Sequence, residues 1–151
     1  MSKKTTAFFL FSTLLAATQL LADPNSAQLS VSVQVIGRTI LTVDSQPQTV
    51  AITPSDIGRG YVDVPQAVAF RVRSNAASGY RMEFEPVSYP FGRAEIHWEN
   101  TVAGVGADGA WLTRPYRQGT TAGSFNVRLM LSPDAAPGNY EWPVRVVANS
   151  L

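Results

Sequence analysis

Three neighbouring residues, Glu95, His97 and Glu99, are the strongest candidates for metal chemistry in this 151-residue chain. They alternate with other residues, so on a β-strand all three side chains project from one face. Imidazole and carboxylate groups are zinc ligands, but residues two apart on a strand are separated by about 6.5–7 Å and a fourth ligand is needed. The alternative is a surface histidine between acidic neighbours. We expect no metal ion and no other cofactor.

The sequence contains few residues that could support enzymatic catalysis. The sequence contains no cysteine and a single histidine, so thiolate sites are excluded and any histidine-dependent triad needs His97. Carboxylate pairs occur at Glu83 with Glu85 and at Glu95 with Glu99, but both lie on strand faces that we expect to be solvated. The protein is therefore predicted not to be an enzyme.

Two large aromatic residues, Trp111 and Tyr116, are candidates for a ligand platform. They lie in the glycine-rich stretch 101–123, which predicts a loop-rich excursion with a short strand at 110–113. Flat rings in such a place stack on a sugar or a partner surface, whereas the alternative is that they cap the core. Trp98 is expected to face the core together with Ile96.

Short strands must position all of these residues. Apolar and polar residues alternate with a period of two, which is typical of half-buried strands. The predicted strands are residues 29–35 with an extension at 39–43, 68–73, 80–85, 94–99, 125–131 and 140–147, with shorter candidates at 49–52, 61–64 and 110–113. Turn residues separate them, at 44–47, 54–56, 75–79 and 133–138. The pattern predicts an all-β fold, an antiparallel immunoglobulin-like β-sandwich of about seven to nine strands.

The first 22 residues have the pattern of a cleaved signal peptide. Lys3 and Lys4 precede an apolar stretch, residues 7–17, and Ala22 precedes Asp23 at the expected cleavage position. An uncleaved anchor is the alternative. We expect an exported mature domain of residues 23–151 without a transmembrane helix. It retains ten arginines against eleven acidic residues, a balance that does not favour nucleic-acid binding.

Two runs of residues carry a family resemblance. Residues 129–140 end in Pro137-Gly138-Asn139-Tyr140 and are followed by alternating Trp142, Val144 and Val146. This run resembles the closing Pro-Gly-x-Tyr hairpin and C-terminal strand of fimbrial subunits of chaperone–usher systems and of spore-coat-protein-U-like secreted domains. Residues 26–35, directly after the signal peptide, are similar to the N-terminal segment of such subunits.

The resemblance implies a structural subunit of a pilus that mediates cell adhesion. Its partners would be a periplasmic chaperone, an outer-membrane usher and other subunits or itself, with passage through the periplasm to the cell surface. The residues expected to be donated to the next subunit are Leu29, Val31, Val33 and Val35. The alternative is that they form the first strand of a complete sandwich, unless residues 40–43 serve as that strand. The protein would then be a secreted or periplasmic binding module, with glycans as candidate ligands.

Overall fold

The structure is a computed structural model that describes residues 30–151. The predicted signal peptide and Leu29 lie outside the described residues. All the assigned strands lie in the unit Gln34–Leu151. In chain order the elements are β1 (Thr39–Ser45), β2 (Thr49–Ile52), α1 (Pro54–Arg59), β3 (Tyr61–Ser74), β4 (Tyr80–Phe84), β5 (Phe91–Trp98), β6 (Thr101–Val105), β7 (Ala110–Arg114), β8 (Thr120–Leu131), β9 (Gly138–Glu141) and β10 (Val146–Ser150). The prediction of an all-β fold is confirmed.

Two antiparallel sheets form the sandwich. The larger has the strand order β1-β3-β8-β5-β6 and the smaller has the order β10-β4-β7, while β2 and β9 form a separate pair. Phe84 of the smaller sheet meets Phe125 of the larger one edge to face, with ring centroids 5.4 Å apart. The two sheets therefore pack face to face through their apolar sides.

Aromatic residues fill the centre of the core. Phe70 on β3 stacks on Phe125 on β8 with centroids 4.4 Å apart, and Trp98 on β5 meets Phe70 edge-on at 5.1 Å. Trp98 and Ile96 are both buried, as the alternation along this strand predicts. Offset and edge-to-face contacts of this kind are favoured by the ring quadrupoles.

The glycine-rich stretch is more regular than predicted. It contains β6 and β7, and β8 begins at Thr120, whereas the sequence predicted loops with one short strand. Ala103 and Val105 on β6 are buried although glycines interrupt their pattern. Gly104 pairs with Glu95 in the ladder, so β6 continues through this glycine. Because a glycine adds no apolar side chain to the pattern, the sequence did not indicate the strand.

A short helix, α1, stands where the sequence predicted a turn at residues 54–56. The hydroxyl of Thr53 accepts from the Asp56 amide at 3.2 Å, and the Thr53 amide donates to the Asp56 carboxylate at 2.8 Å. These reciprocal bonds form a capping box, with Pro54 at the first helical position. Gly60, with a φ of 80°, ends the helix in the left-handed conformation.

The predicted closing strand, residues 140–147, is corrected to two strands. Tyr140 ends up in β9, which pairs with β2, whereas Val146 begins β10, which pairs with β4. Trp142 and Val144 lie in the irregular connection between them. Pro143 has no N–H to donate to a ladder, so it favours a break at this point.

The predicted first strand is also corrected. Residues 30–38 carry no assigned strand, and the first strand of the fold is β1, which contains residues 40–43. Within residues 30–151 no helix is long and apolar enough to cross a membrane.

Candidate functional site

An open seam lies between the two sheets where β1 and β10 meet. β1 is the edge strand of the larger sheet and pairs with β3, and β10 is the edge strand of the smaller sheet and pairs with β4. The two edges lie against each other, but among residues 30–151 no strand pairs with the remaining side of either. Their unpaired N–H and C=O groups are a template for another strand.

A groove of about 790 Å³ opens at one end of this seam, where Val43 of β1 and Val146 of β10 lie beside the β1–β2 and β9–β10 connections. Its apolar lining is Val43, Pro47, Trp142, Val144 and Val146. Its polar lining is Gln46, Gln48, Thr49, Glu141 and Arg145. Val43 is 38% exposed, so the core is incompletely covered on this side.

The break in the closing strand shapes the groove. The Trp142 amide donates to the Gln48 carbonyl at 2.9 Å, and the Arg145 carbonyl accepts from the Glu85 amide at 3.1 Å. These bonds hold residues 142–145 against two different parts of the fold. The Val144 side chain is buried as a result, and Val146 remains half-buried.

The indole of Trp142 carries an unusual feature. Its Nε1 is buried and has no hydrogen-bond partner among residues 30–151. A buried donor without an acceptor costs free energy, and most such groups in folded proteins are paired.

The predicted donor residues are exposed. The exposed fractions are 75% for Val31, 79% for Val33 and 73% for Val35, and the adjacent Ile36 is 79% exposed. Several large apolar residues close together are seldom left in water without a partner. Val35 and Ile36, at the start of the unit Gln34–Leu151, do not contribute to its core.

The end of this segment is anchored to the sandwich. Asn75 donates from Nδ2 to the Ile36 carbonyl at 3.2 Å, and Ser150 donates to the Gly37 carbonyl at 3.1 Å. The Asn75 amide also donates to the Arg38 carbonyl at 3.1 Å. Residues 36–38 are thus fixed just before β1 begins.

The two residues of the predicted ligand platform are both exposed. Trp111 lies on β7 and is 65% exposed, and Tyr116 lies in the following loop and is 44% exposed. Trp111 is opposite Glu83 in the ladder, and the Glu83 carboxylate accepts from Arg81 at 2.8 Å. Among residues 30–151 no ring contact joins Trp111 to Tyr116, so the structure does not bring them into one platform.

The three candidate metal ligands do not converge. His97 Nε2 lies 3.8 Å from a Glu95 oxygen, but the Glu99 carboxylate lies 4.0 Å from Arg114 in the turn after β5. Within the described part of the chain, no group of three or more ligand-type side chains is placed to hold a metal ion.

Two carboxylates on the outer faces are held by arginines. The hydrogen bond from Arg71 lowers the pKa of Asp44, and the hydrogen bond from Arg128 lowers the pKa of Asp63. Both pairs are exposed and join neighbouring strands, at 2.6 Å and 2.7 Å. Their role is to stabilise strand pairing modestly rather than to perform chemistry.

Sequence reasoning missed that β1 forms one side of the seam. Leu41 and Val43 on β1 were predicted only as an extension of the first strand. Their alternation after Gly37 was the available signal, but nothing in it indicated that β1 would lie beside β10. No protein-family model, no curated protein and no solved structure matches this chain.

Proposed function

We propose that the protein is a structural subunit of a bacterial surface appendage that assembles by donor-strand addition. Residues 29–35 of one copy would occupy the groove between β1 and β10 of the next. One observation carries the proposal: a groove of mixed polar and apolar lining, at a seam with two unpaired edges, occurs in the same chain as an exposed, alternating apolar segment.

The strand order supports an incomplete immunoglobulin-like sandwich. Such domains have strands A, B, E and D in one sheet and C, F and G in the other. Equating β1, β3, β8 and β5 with A, B, E and D, and β4 and β10 with C and F, leaves β6 and β7 as additional strands beside β5 and β4. No strand of residues 30–151 stands beside β10 in the position of G. The donated segment would fill that position.

The donated segment, residues 29–35, and the edge strand β1 have compatible lengths. Residues 29–35 number seven, as do the residues of β1. At about 3.3 Å per residue, each spans roughly 20–23 Å when extended. A donated strand could therefore form main-chain bonds along β1 and place an alternate side chain in the groove at the Val43 end.

The chemistry of the segment also suits burial. Between its apolar residues stand only Ser30, Ser32 and Gln34, so the segment carries no charge. Charged side chains would cost several kcal/mol each if they were buried unpaired. The segment avoids this cost because the face that enters the groove carries no charge.

The proposed route follows from the same exposed groove. A subunit with two unpaired strand edges needs protection before assembly, which a periplasmic chaperone would give by lending a strand. Export by the predicted signal peptide, delivery to an outer-membrane usher and incorporation into a fimbrium at the cell surface complete the proposal. Its role in adhesion is structural and non-enzymatic.

Mixing two defective variants tests the proposal. Val33→Asp places a charge on the donated face, and Val43→Lys places one in the groove, so each chain alone should remain monomeric. An equimolar mixture should form heterodimers, because Val33→Asp keeps its groove and Val43→Lys keeps its segment. Size-exclusion chromatography with light scattering measures the masses.

Two neighbouring substitutions serve as controls. Ser32→Asp and Thr42→Lys add the same charges on the opposite sides of the segment and of β1, so both chains should polymerise like the wild type. A wild-type chain that stays monomeric, or a mixture that gives no heterodimer, would rule out donor-strand addition.

A glycan-binding module remains the second candidate because of one observation. Trp111 and Val147 are exposed on the outer face of the smaller sheet, on either side of Glu83 in the ladder. An exposed ring beside a carboxylate and Arg81 could stack on a sugar and bond its hydroxyls. Loss of glycan-array binding in Trp111→Ala, with assembly unchanged, would support this second role.

A further inference from the structure

A second pocket lies at the other end of the smaller sheet from the groove. Tyr80 lines it and pairs with Ser150, whereas Val146, which lines the groove, pairs with Phe84 at the opposite end of β10. The pocket has a volume of about 150 Å³. Its lining residues are Tyr80, Trp98, Glu99, Arg114, Pro115, Arg117 and Thr121.

Arg114 is the central residue of this pocket. Its guanidinium lies over the Trp98 ring at 4.0 Å from the centroid, and its side chain is only 18% exposed. The ring attracts the positive charge, and this attraction is stronger when water is excluded. The charge is therefore held in a fixed place between β7 and β5.

The hydrogen bonds of Arg114 are far from complete. A guanidinium has five N–H donors. Nη2 makes one long bond, 3.4 Å, to the Trp98 carbonyl, and the buried Nε has no partner among residues 30–151. A largely buried cation with unused donors is costly unless another group pairs with it. The pocket beside it is where such a group would lie.

Other lining groups complement an oxyanion. Arg117 adds a second positive charge, and Thr121 and Tyr80 each carry a hydroxyl. Burial raises the pKa of Tyr80, while the charges of Arg114 and Arg117 act to lower it. Both arginines therefore act electrostatically on the same small space, and the Tyr80 hydroxyl remains a neutral donor.

Glu99 does not neutralise this pocket fully. Its carboxylate is 4.0 Å from Arg114, beyond hydrogen-bond distance, and its side chain is 56% exposed. Its backbone has a φ of 52°, a conformation uncommon for residues other than glycine. This conformation is the ordinary one for a two-residue hairpin loop, here Glu99-Asn100 between β5 and β6. Two arginines against one exposed carboxylate leave the site positive.

We propose that this pocket binds the carboxylate group of a small organic acid. The planar guanidinium of Arg114 matches a carboxylate by two parallel hydrogen bonds. Arg117 contributes the second charge at the pocket mouth. The carboxylate could belong to a uronic acid or to a simple organic acid, since the shared group is what the pocket recognises.

Titration of the full mature chain tests the proposal by following the Arg114 Nε–H signal in ¹⁵N NMR spectra. The Val33→Asp background suppresses the proposed assembly, and Val33 is not one of the residues that line this pocket. Sodium glucuronate and sodium acetate should shift the signal saturably, whereas glucose and sodium chloride at the same ionic strength should not. Tighter binding of glucuronate than acetate identifies an acidic sugar as the ligand, and equal binding identifies the simple carboxylate; either supports the proposal.

Substitutions test whether glucuronate binds in this pocket. Arg114→Gln should abolish the binding of glucuronate, and Arg117→Gln should weaken it about tenfold, as expected for one charge-assisted hydrogen bond. Arg93→Gln, a matched change on another strand, should leave it unchanged. If Arg114→Gln does not fold, the Arg117→Gln variant and the wild-type signal decide whether the pocket binds a carboxylate. A shift that does not saturate, that chloride reproduces, or that Arg117→Gln leaves unaltered would overturn the proposal, whatever the outcome for assembly.

Discussion

Trp98 and Trp111 demonstrate how the position on a strand decides the role of a residue. Trp98 is 4% exposed and touches two core phenylalanines, whereas Trp111 is 65% exposed. Leu112 is buried on β7, so its neighbour Trp111 must point outward. The idea that Trp111 caps the core is therefore wrong, and its ring remains free for a contact with another molecule.

Replacing each tryptophan by alanine separates these roles. Trp98→Ala removes a buried ring and should lower the free energy of unfolding by about 3–5 kcal/mol. Trp111→Ala removes an exposed ring and should change it by about 0.5 kcal/mol or less. Urea unfolding of both variants in the same buffer measures the difference. Equal losses would contradict the outward orientation of Trp111.

At the scale of elements, the helix α1 depends on a carboxylate at its first turn. Asp56 has its pKa lowered to about 2, first by the hydrogen bond from the Thr53 side chain, then by the Thr53 amide and by Arg59. The ordinary value for an aspartate in an unfolded chain is about 3.9. Asp56 therefore binds a proton more weakly in the folded state than in the unfolded state.

This shift predicts how folding depends on pH. The stabilisation by Asp56 is fully present above about pH 4 and is lost as the pH falls towards 2. The melting temperature of the wild type should exceed that of Asp56→Asn above pH 4, and the difference should shrink at pH 2. Calorimetry between pH 6 and pH 2 measures it. Asp108→Asn, an exposed control, should differ little from the wild type throughout, and a constant deficit for Asp56→Asn would contradict the prediction.

The sequence predicted strands best where one face is exposed to solvent and the other face is buried. β4 and β5 were found at nearly their true positions because their residues alternate regularly. β3 was predicted as two strands because Pro65 interrupts its pattern, whereas the structure carries the strand through a register shift between Val64 and Val68. A bulge of this kind leaves no periodic signal, since one strand gains unpaired residues.

At the scale of the whole molecule, the groove depends on contacts that no local pattern records. β1 and β10 lie at opposite ends of the sequence, and their meeting requires the order of both sheets. The apolar alternation of Val31, Val33 and Val35 was visible, but an internal strand and a donated strand have the same period. Only the presence of β1 as a separate first strand makes this segment dispensable for the described fold.

Removal of the segment and its return as a peptide give the final prediction. A chain lacking residues 23–35 keeps every assigned strand and the anchored residues 36–38, so it should fold but not polymerise. A peptide of residues 27–36 should then stabilise it by about 2.7 kcal/mol at a concentration of 100 times its Kd, because it binds only the folded state. Calorimetry should record this as a rise in melting temperature that depends on peptide concentration.

The matched peptide carries Asp at the position of Val33 and should have no effect, because it would bury an unpaired charge in the groove. The interpretation of residues 29–35 as an internal strand requires the opposite behaviour. The shortened chain would then be unfolded without peptide, since a strand of its own sandwich would be missing. A shortened chain that is folded, monomeric and indifferent to the native peptide would exclude this segment as the donor and leave the groove to a strand from a different protein.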